Sequence, residues 1–292
     1  MELRLLQYFL AVVREENISR AADVLHVTQP TLSRQMAQLE KTLGATLFVR
    51  GRRFELTDAG VMLKHRAEEV VGLMTKIEDE FSHQREVGSV ISIGSGGLYA
   101  MHILPPIMAS FRELYPKVTF SLYTNNADYI KERLEQGLLD FGLLLEPVDV
   151  SKFDYLRMAD RERWGVFMRK DHPLAAKEYI VKDDLKGEPL ITSDRLFVQK
   201  ELEAWFGDMY SELDIFATYN IITNAVNIVA DGIASALTIE GAVRQFCSDR
   251  FVFKSLSPEL SMSSVFVWKK FRSGFSAAGA FLDHFKTQYG NK

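Results

Sequence analysis

The sequence predicts an α/β protein with a separate all-α head at its N-terminus, and three observations carry that expectation. Across the first 57 residues, apolar side chains recur at helical spacing in short, capped segments. Residues 58–87 then hold an apolar repeat of alternating four and three. After Gly88, strand-like and helix-like segments alternate to the end of the chain. The 292 residues leave room for two or three domains, and 47% hydrophobic with 25% charged residues is ordinary globular composition.

Composition narrows the functional classes. The single cysteine, Cys247, permits no intrachain disulfide and is expected to be a buried structural residue in a helical stretch, Val243 to Cys247. The histidines (26, 65, 83, 102, 172 and 284) show no metal-ligand spacing, so no metal and no cofactor is expected. No run of about 18 apolar residues predicts a membrane span. Leu5 to Val13 leads into Arg14-Glu15-Glu16 and not into a small-residue cleavage site, so it is read as a helix of a cytoplasmic protein. The net charge of -4 is unevenly placed: residues 1–66 hold ten Lys+Arg against seven Asp+Glu, a basic head on an acidic body.

In the head, Leu6, Phe9, Leu10 and Val13 predict a helix over 3–15. Asn17 or Ser19 can cap a second, Arg20 to Leu25. Thr28 can cap a third, with Pro30 in its first turn, a stripe of Leu32, Met36, Leu39 and Leu43, and Gly44 at its end. Two short helices across a tight turn match a helix-turn-helix. Its outer face would carry Gln29, Thr31, Ser33, Arg34 and Gln38, side chains suited to base edges. Thr46 to Val49 and Phe54 to Thr57 read as strands around the basic turn Arg50-Gly51-Arg52-Arg53, a wing placed to meet phosphates.

These residues carry a resemblance. Ala21-Ala22, Thr28-Gln-Pro-Thr-Leu-Ser-Arg-Gln, Leu39-Glu40, Leu43-Gly44, Leu47-Phe48, Arg50 and Thr57-Asp-Ala-Gly60 are similar, in spacing and identity, to the N-terminal signature of LysR-type transcriptional regulators. The resemblance implies base contacts by Gln29, Pro30, Thr31, Ser33 and Arg34, and phosphate contacts by Arg50, Arg52 and Arg53. It also implies double-stranded promoter DNA as partner and a homodimer or homotetramer, and it admits RNA polymerase as a further partner. No membrane partner is expected.

Thr57 or Asp58 can cap a long linker helix running to about residue 86. Leu63, Ala67, Val70, Met74, Ile77 and Phe81 form a coiled-coil-like seam, read as the dimerisation stripe that would present two heads to two half-sites. The expected domains are therefore a winged helix-turn-helix over 1–57, a linker over 58–87, and an effector domain over 88–292.

In that last domain, strands are expected at Val90 to Gly94, Val118 to Tyr123 and Asp140 to Leu145, with helices at Ile103 to Tyr115 and Ala127 to Gln136. A second lobe takes strands at Trp164 to Met168, Pro189 to Thr192, Ile215 to Thr218 and Ser235 to Thr238, and helices at Leu196 to Phe206 and Thr223 to Ala230. Val265 to Lys269 and Ala277 to Tyr289 return to the first. Leu104-Pro105, Asp171-His-Pro-Leu174 and Val229-Ala-Asp-Gly232 resemble the same family, whose effector domain is a two-lobed, periplasmic-binding-protein-like fold. The expected lobes are 88–161 with 265–292, and 162–264. Where the family commonly has Leu-Pro, this chain has Leu237-Thr238, so the cleft edge is expected to differ there.

Ligands in open α/β sheets sit beyond strand C-termini, against helix N-termini. The strand-end stretches hold Ser95, Gly97, Leu98 and Asn125 in one lobe and Thr192, Ser193 and Thr223 in the other, and their convergence is expected to form a pocket for a small-molecule effector. The family resemblance implies that Ser95, Asn125, Thr192 and Thr223 line it. Catalysis finds no constellation. Gly94-Ser-Gly96-Gly-Leu-Tyr99 lacks the last glycine of a dinucleotide fingerprint, and Ser95 has Ile93 where a nucleophile elbow needs glycine. The competing reading is a DNA-binding protein whose C-terminal domain serves oligomerisation alone.

Overall fold

The computed structural model describes residues 2–49, 54–81, 90–270 and 276–290, and side chains 75, 76 and 78–81 lie outside the description. The chain divides into two compact units, Met1–His83 and Gln84–Lys292.

The first unit is helical. Helices α1 (Leu3–Glu15), α2 (Ile18–Val24) and α3 (Gln29–Leu43) close on a core of Phe9, Val12, Ala21, Leu32 and Leu39, each fully buried. Asn17 caps α2, accepting from the Ser19 and Arg20 amides, and Thr28 caps α3 through the Thr31 amide. The turn between them sets His26 at φ +53°, a conformation few non-glycine residues adopt. Gly44 at φ +65° ends α3. The wing's base is an antiparallel bridge between Phe48 and Leu56, with the Phe48 ring packed at a tilt against both Phe9 and Phe54.

Helix α4 (Asp58–Phe81) starts at Thr57, whose hydroxyl accepts from the Gly60 amide at 3.1 Å. The proposed seam divides along it. Leu63 and Ala67 are buried in the head's own core, with Val71 packed beside them. That corrects their assignment as dimer contacts: the first two turns of the stripe lie over α1 and are used up there. Val70, Leu73, Met74 and Ile77 stay exposed, and Phe81 is outside the described side chains.

Among the described residues the second unit forms a nine-stranded mixed sheet in the order β2-β1-β3-β9-β4-β7-β5-β6, with β8 on β4. β1 (Val90–Ser95) lies parallel to β2 (Thr119–Thr124) and β3 (Phe141–Leu145), covered by α5 (Leu104–Leu114) and α6 (Ala127–Glu135). β4 (Phe153–Arg169) is far longer than the strand expected at Trp164 to Met168. Its first part pairs with β9 (Ser261–Lys269), which pairs in turn with β3; its last part pairs with β7 (Ser235–Ile239) and β8 (Phe251–Ser255). One strand therefore threads both lobes. β5 (Leu190–Ser193) is parallel to β6 (Ile215–Tyr219) and β7, with α7 (Leu196–Phe206) and α8 (Ile222–Ala230) completing the second lobe. A short α9 (Glu240–Val243) follows β7, and α10 (Ala277–Gly290) returns to pack on α5 and β1.

The strand at Phe251–Ser255 was not expected from the sequence, and the helical stretch expected at Val243 to Cys247 ends as a 3-10 turn, Arg244–Phe246. Cys247 beyond it is exposed, correcting the expectation of burial. Partial desolvation holds its thiol above its ordinary pKa, so it is not activated. Among the described residues no helix is long and apolar enough to cross a membrane.

Candidate functional site

Two surfaces carry the chemistry. The first is the outer face of α3. Gln29, Pro30, Thr31 and Arg34 are exposed and Ser33 is partly so, while Leu32, Met36 and Leu39 turn inward. The 3.6-residue period thus separates one helix into an anchoring face and a presenting face. The presented groups are held in place: Gln29 Nε2 donates to Ser33 Oγ at 2.8 Å, and the Thr28 and Thr31 hydroxyls lie 2.8 Å apart. Arg50, Arg52 and Arg53 fall outside the described residues. The described residues on either side are anchored to each other, with the Val49 amide donating to the Glu55 carbonyl at 2.9 Å. The Leu47 amide also donates to Glu40 Oε1 at 2.7 Å, which ties the wing to α3.

The second is a cavity of about 140 Å³ in the second unit, where the C-terminal ends of β1, β2, β5, β6 and β7 converge on helix N-termini. Of the sequence-predicted residues, Gly97, Leu98, Asn125, Ser193 and Thr223 line it. Ser95 and Thr192 do not. The Ser95 hydroxyl is turned to the Gly96 carbonyl at 2.8 Å, and strand alternation sets Thr192 on the opposite face from its neighbour Ser193. Thr192 Oγ1 is buried without a partner among the described residues.

Several wall residues were not read from the sequence: Trp164, Arg195, Tyr219 and Gln245. Burial pushes the Tyr219 phenol well above its ordinary pKa, so it stays a neutral donor, and its hydroxyl lies 3.2 Å from the Leu237 carbonyl. Beside it, Thr238 is 1% exposed and lines the cavity. The departure at Leu237-Thr238 therefore does fall on the wall.

Behind the wall residue Leu98 the chain is held by Glu162, a fully buried carboxylate on β4 that does not itself line the cavity. It accepts from the Tyr99 amide at 2.8 Å and the Ala100 amide at 3.0 Å, capping the turn that opens α5. Desolvation outweighs these two bonds and raises its pKa. Gly241 makes the approach possible, since a Cβ there would lie 2.0 Å from the Tyr99 nitrogen and 2.8 Å from Glu162 Oε2.

Comparison with known proteins agrees with this geometry. Residues 3–61 match a family model described as a bacterial regulatory helix-turn-helix protein of the lysR family, and residues 84–290 match the LysR substrate binding domain. The chain is 30% identical over 278 residues to the Hca operon transcriptional activator HcaR of Escherichia coli K12, with 92% of each covered. It is 31% identical over 283 residues to the transcriptional regulator AlsR of Bacillus subtilis 168, covering 92% of this chain and 91% of that one. Among solved structures, CbnR, a LysR family transcriptional regulator, shares the fold with a TM-score of 0.75 at 23% identity over 99% of both chains. CbnR complexed with its target DNA gives 0.72 at 23% identity, over 100% of this chain and 99% of that one.

Proposed function

The chain belongs to the LysR family of DNA-binding transcriptional regulators, and from that premise we propose how its two units divide the work: α3 reads promoter DNA, and the cavity of the second unit binds the effector. The observation that carries the first half is the presenting face of α3, where Gln29, Thr31, Ser33 and Arg34 face outward above a buried Leu32, Met36 and Leu39. Arg34 suits a guanine edge and Gln29 an adenine edge. The wing arginines, Arg50, Arg52 and Arg53, are assigned to phosphates. The cavity is assigned to binding and not to catalysis, because its described wall pairs no nucleophile with a base.

Arg34→Ala is expected to cost about 1–3 kcal/mol on the specific site and to relax selectivity at one base pair. Fluorescence anisotropy on the operator and on single-base variants checks this; equal losses on operator and random DNA would remove Arg34 from base readout. The exposed stripe Val70, Leu73, Met74 and Ile77 is assigned to the dimer contact. Ile77→Asp is accordingly expected to shift the protein toward monomer at micromolar concentration, read by light scattering, and to weaken binding to a two-half-site operator. An unchanged mass would place the dimer contact elsewhere.

The test of the whole reading is genomic DNA selection with purified full-length protein at moderate salt. An interrupted palindrome among the retained fragments is the expected result, while fragments no different from random background would overturn the assignment of α3.

A further inference from the structure

Arg195 is the one formally charged residue in the cavity wall, and no aspartate, glutamate, lysine or histidine joins it among the described residues. Its guanidinium is strung across the cleft. Nε donates to Asp128 Oδ2 at 3.2 Å on α6 of the first lobe, Nη1 to the Leu145 carbonyl at 3.4 Å, and Nη2 to the Pro147 carbonyl at 3.2 Å. A guanidinium has five N–H donors, so these contacts leave further N–H capacity.

The ion pair is lopsided. The Arg195 side chain is 6% exposed and that of Asp128 is 48% exposed. The cation is thus fixed and desolvated, while the carboxylate stands at the rim, hydrated and replaceable. Opposite charges attract more strongly away from water, and the fold already bears the cost of desolvating this guanidinium. An anion entering the cavity therefore sets its own desolvation against a stronger attraction than the half-exposed Asp128 feels. Two more observations share that polarity. Helices α7 and α8 begin at the wall, and among the described residues no side chain caps their first amides. Trp164, in the same wall and 2% exposed, has an indole Nε1–H with no acceptor among the described residues. Leu98, Leu145, Val198, Ile222 and Ile239 make much of the remaining wall apolar.

Resting on the effector-binding reading, we propose that the ligand is a small organic acid, an apolar body bearing one oxyanion, and that Arg195 holds that oxyanion in partial replacement of Asp128. The cavity, about 140 Å³, leaves room for one small ring or a short branched chain. Because Arg195 belongs to the second lobe and its acceptors to the first, the acid alters the tie between the lobes as it binds.

Three probes of one shape and three charges test this on the full-length protein by calorimetry: cyclohexanecarboxylate, cyclohexanecarboxamide and cyclohexylmethylamine. The carboxylate is expected to bind, the amide about tenfold more weakly, and the amine not at all. Arg195→Gln is expected to weaken the carboxylate about tenfold or more while leaving the amide nearly unchanged. Asp128→Asn is expected to act in the opposite direction, strengthening the carboxylate several-fold by removing its competitor. Both substitutions break the same ion pair, so a merely structural latch would make them act alike. Parallel losses for the two variants, or amide binding equal to carboxylate, would overturn the role of Arg195 and leave the effector cavity standing. No binding by any probe, from a preparation that still binds DNA, would overturn the cavity assignment as well.

Discussion

Gly60→Ala is expected to destabilise the DNA-binding head by about 3 kcal/mol and to lower operator affinity about tenfold or more. The reason is a close approach, since Gly60 has no special backbone angle. A Cβ at this position would stand 2.2 Å from the Leu47 carbonyl oxygen and 3.0 Å from the Leu56 side chain. That carbonyl cannot simply yield, because it accepts from the Thr57 amide at 3.0 Å. Thr57 in turn donates its hydroxyl to the Thr46 carbonyl and accepts from the Gly60 amide. Displacing Leu47 therefore loosens the wing base and the start of α4 together. Thermal denaturation and operator anisotropy read the result, with cavity ligand binding as a control for the second unit. Melting and affinity both unchanged would show that the junction has slack.

Glu162→Ala is the counterpart in the second unit, expected to cost about 2–4 kcal/mol and to abolish effector binding. Removing the carboxylate orphans the Tyr99 and Ala100 amides, which are held at 2.8 and 3.0 Å in a site closed by Gly241. The sign of the pH effect differs from that of a surface ion pair. Burial raises the Glu162 pKa above its unfolded value, so its favourable contribution is present in acid and is lost as pH rises through the folded pKa. Wild type should thus gain on Glu162→Gln as pH falls from neutral toward the carboxylate range. A gap between the two melting temperatures that stays constant with pH would contradict a titrating, buried Glu162.

How much of this was legible in the sequence depends on whether the cause was local. Caps at Asn17, Thr28 and Gly44, and the inward stripe of α3, rest on spacings of a few residues and could be read directly. The linker stripe was harder. Leu63 and Ala67 share a repeat with Met74 and Ile77, and periodicity alone does not say whether a partner or the head itself covers it. In the cavity, the reading by strand ends found Gly97, Asn125, Ser193 and Thr223 but not which of Thr192 and Ser193 faces inward, because that turns on the register of β5 with its neighbours. Arg195 was invisible for a different reason. Beside Asp194 it reads as an ordinary solvated charge, and its partner Asp128 lies 67 residues away. The first half of β4 was missed because its burial does not alternate: Phe153 and Met158, five residues apart and buried in different cores, stand among mostly exposed, charged neighbours, which resembles a polar loop.

That long strand has a mechanical consequence. From Phe153 to Arg169 it runs about 55 Å without interruption at strand rise, belonging first to one lobe and then to the other. Its pairing with β9 slips between Arg157 and Arg161, yet the backbone stays extended throughout. A loop joining two bodies is a free swivel; a hydrogen-bonded ribbon is a torsion bar, which resists in proportion to the angle through which it is wound. A molecule wedged between the lobes would therefore load this bar instead of throwing a latch. Ligands of increasing bulk are accordingly expected to wind the ribbon by increasing angles, a graded twist between the lobes.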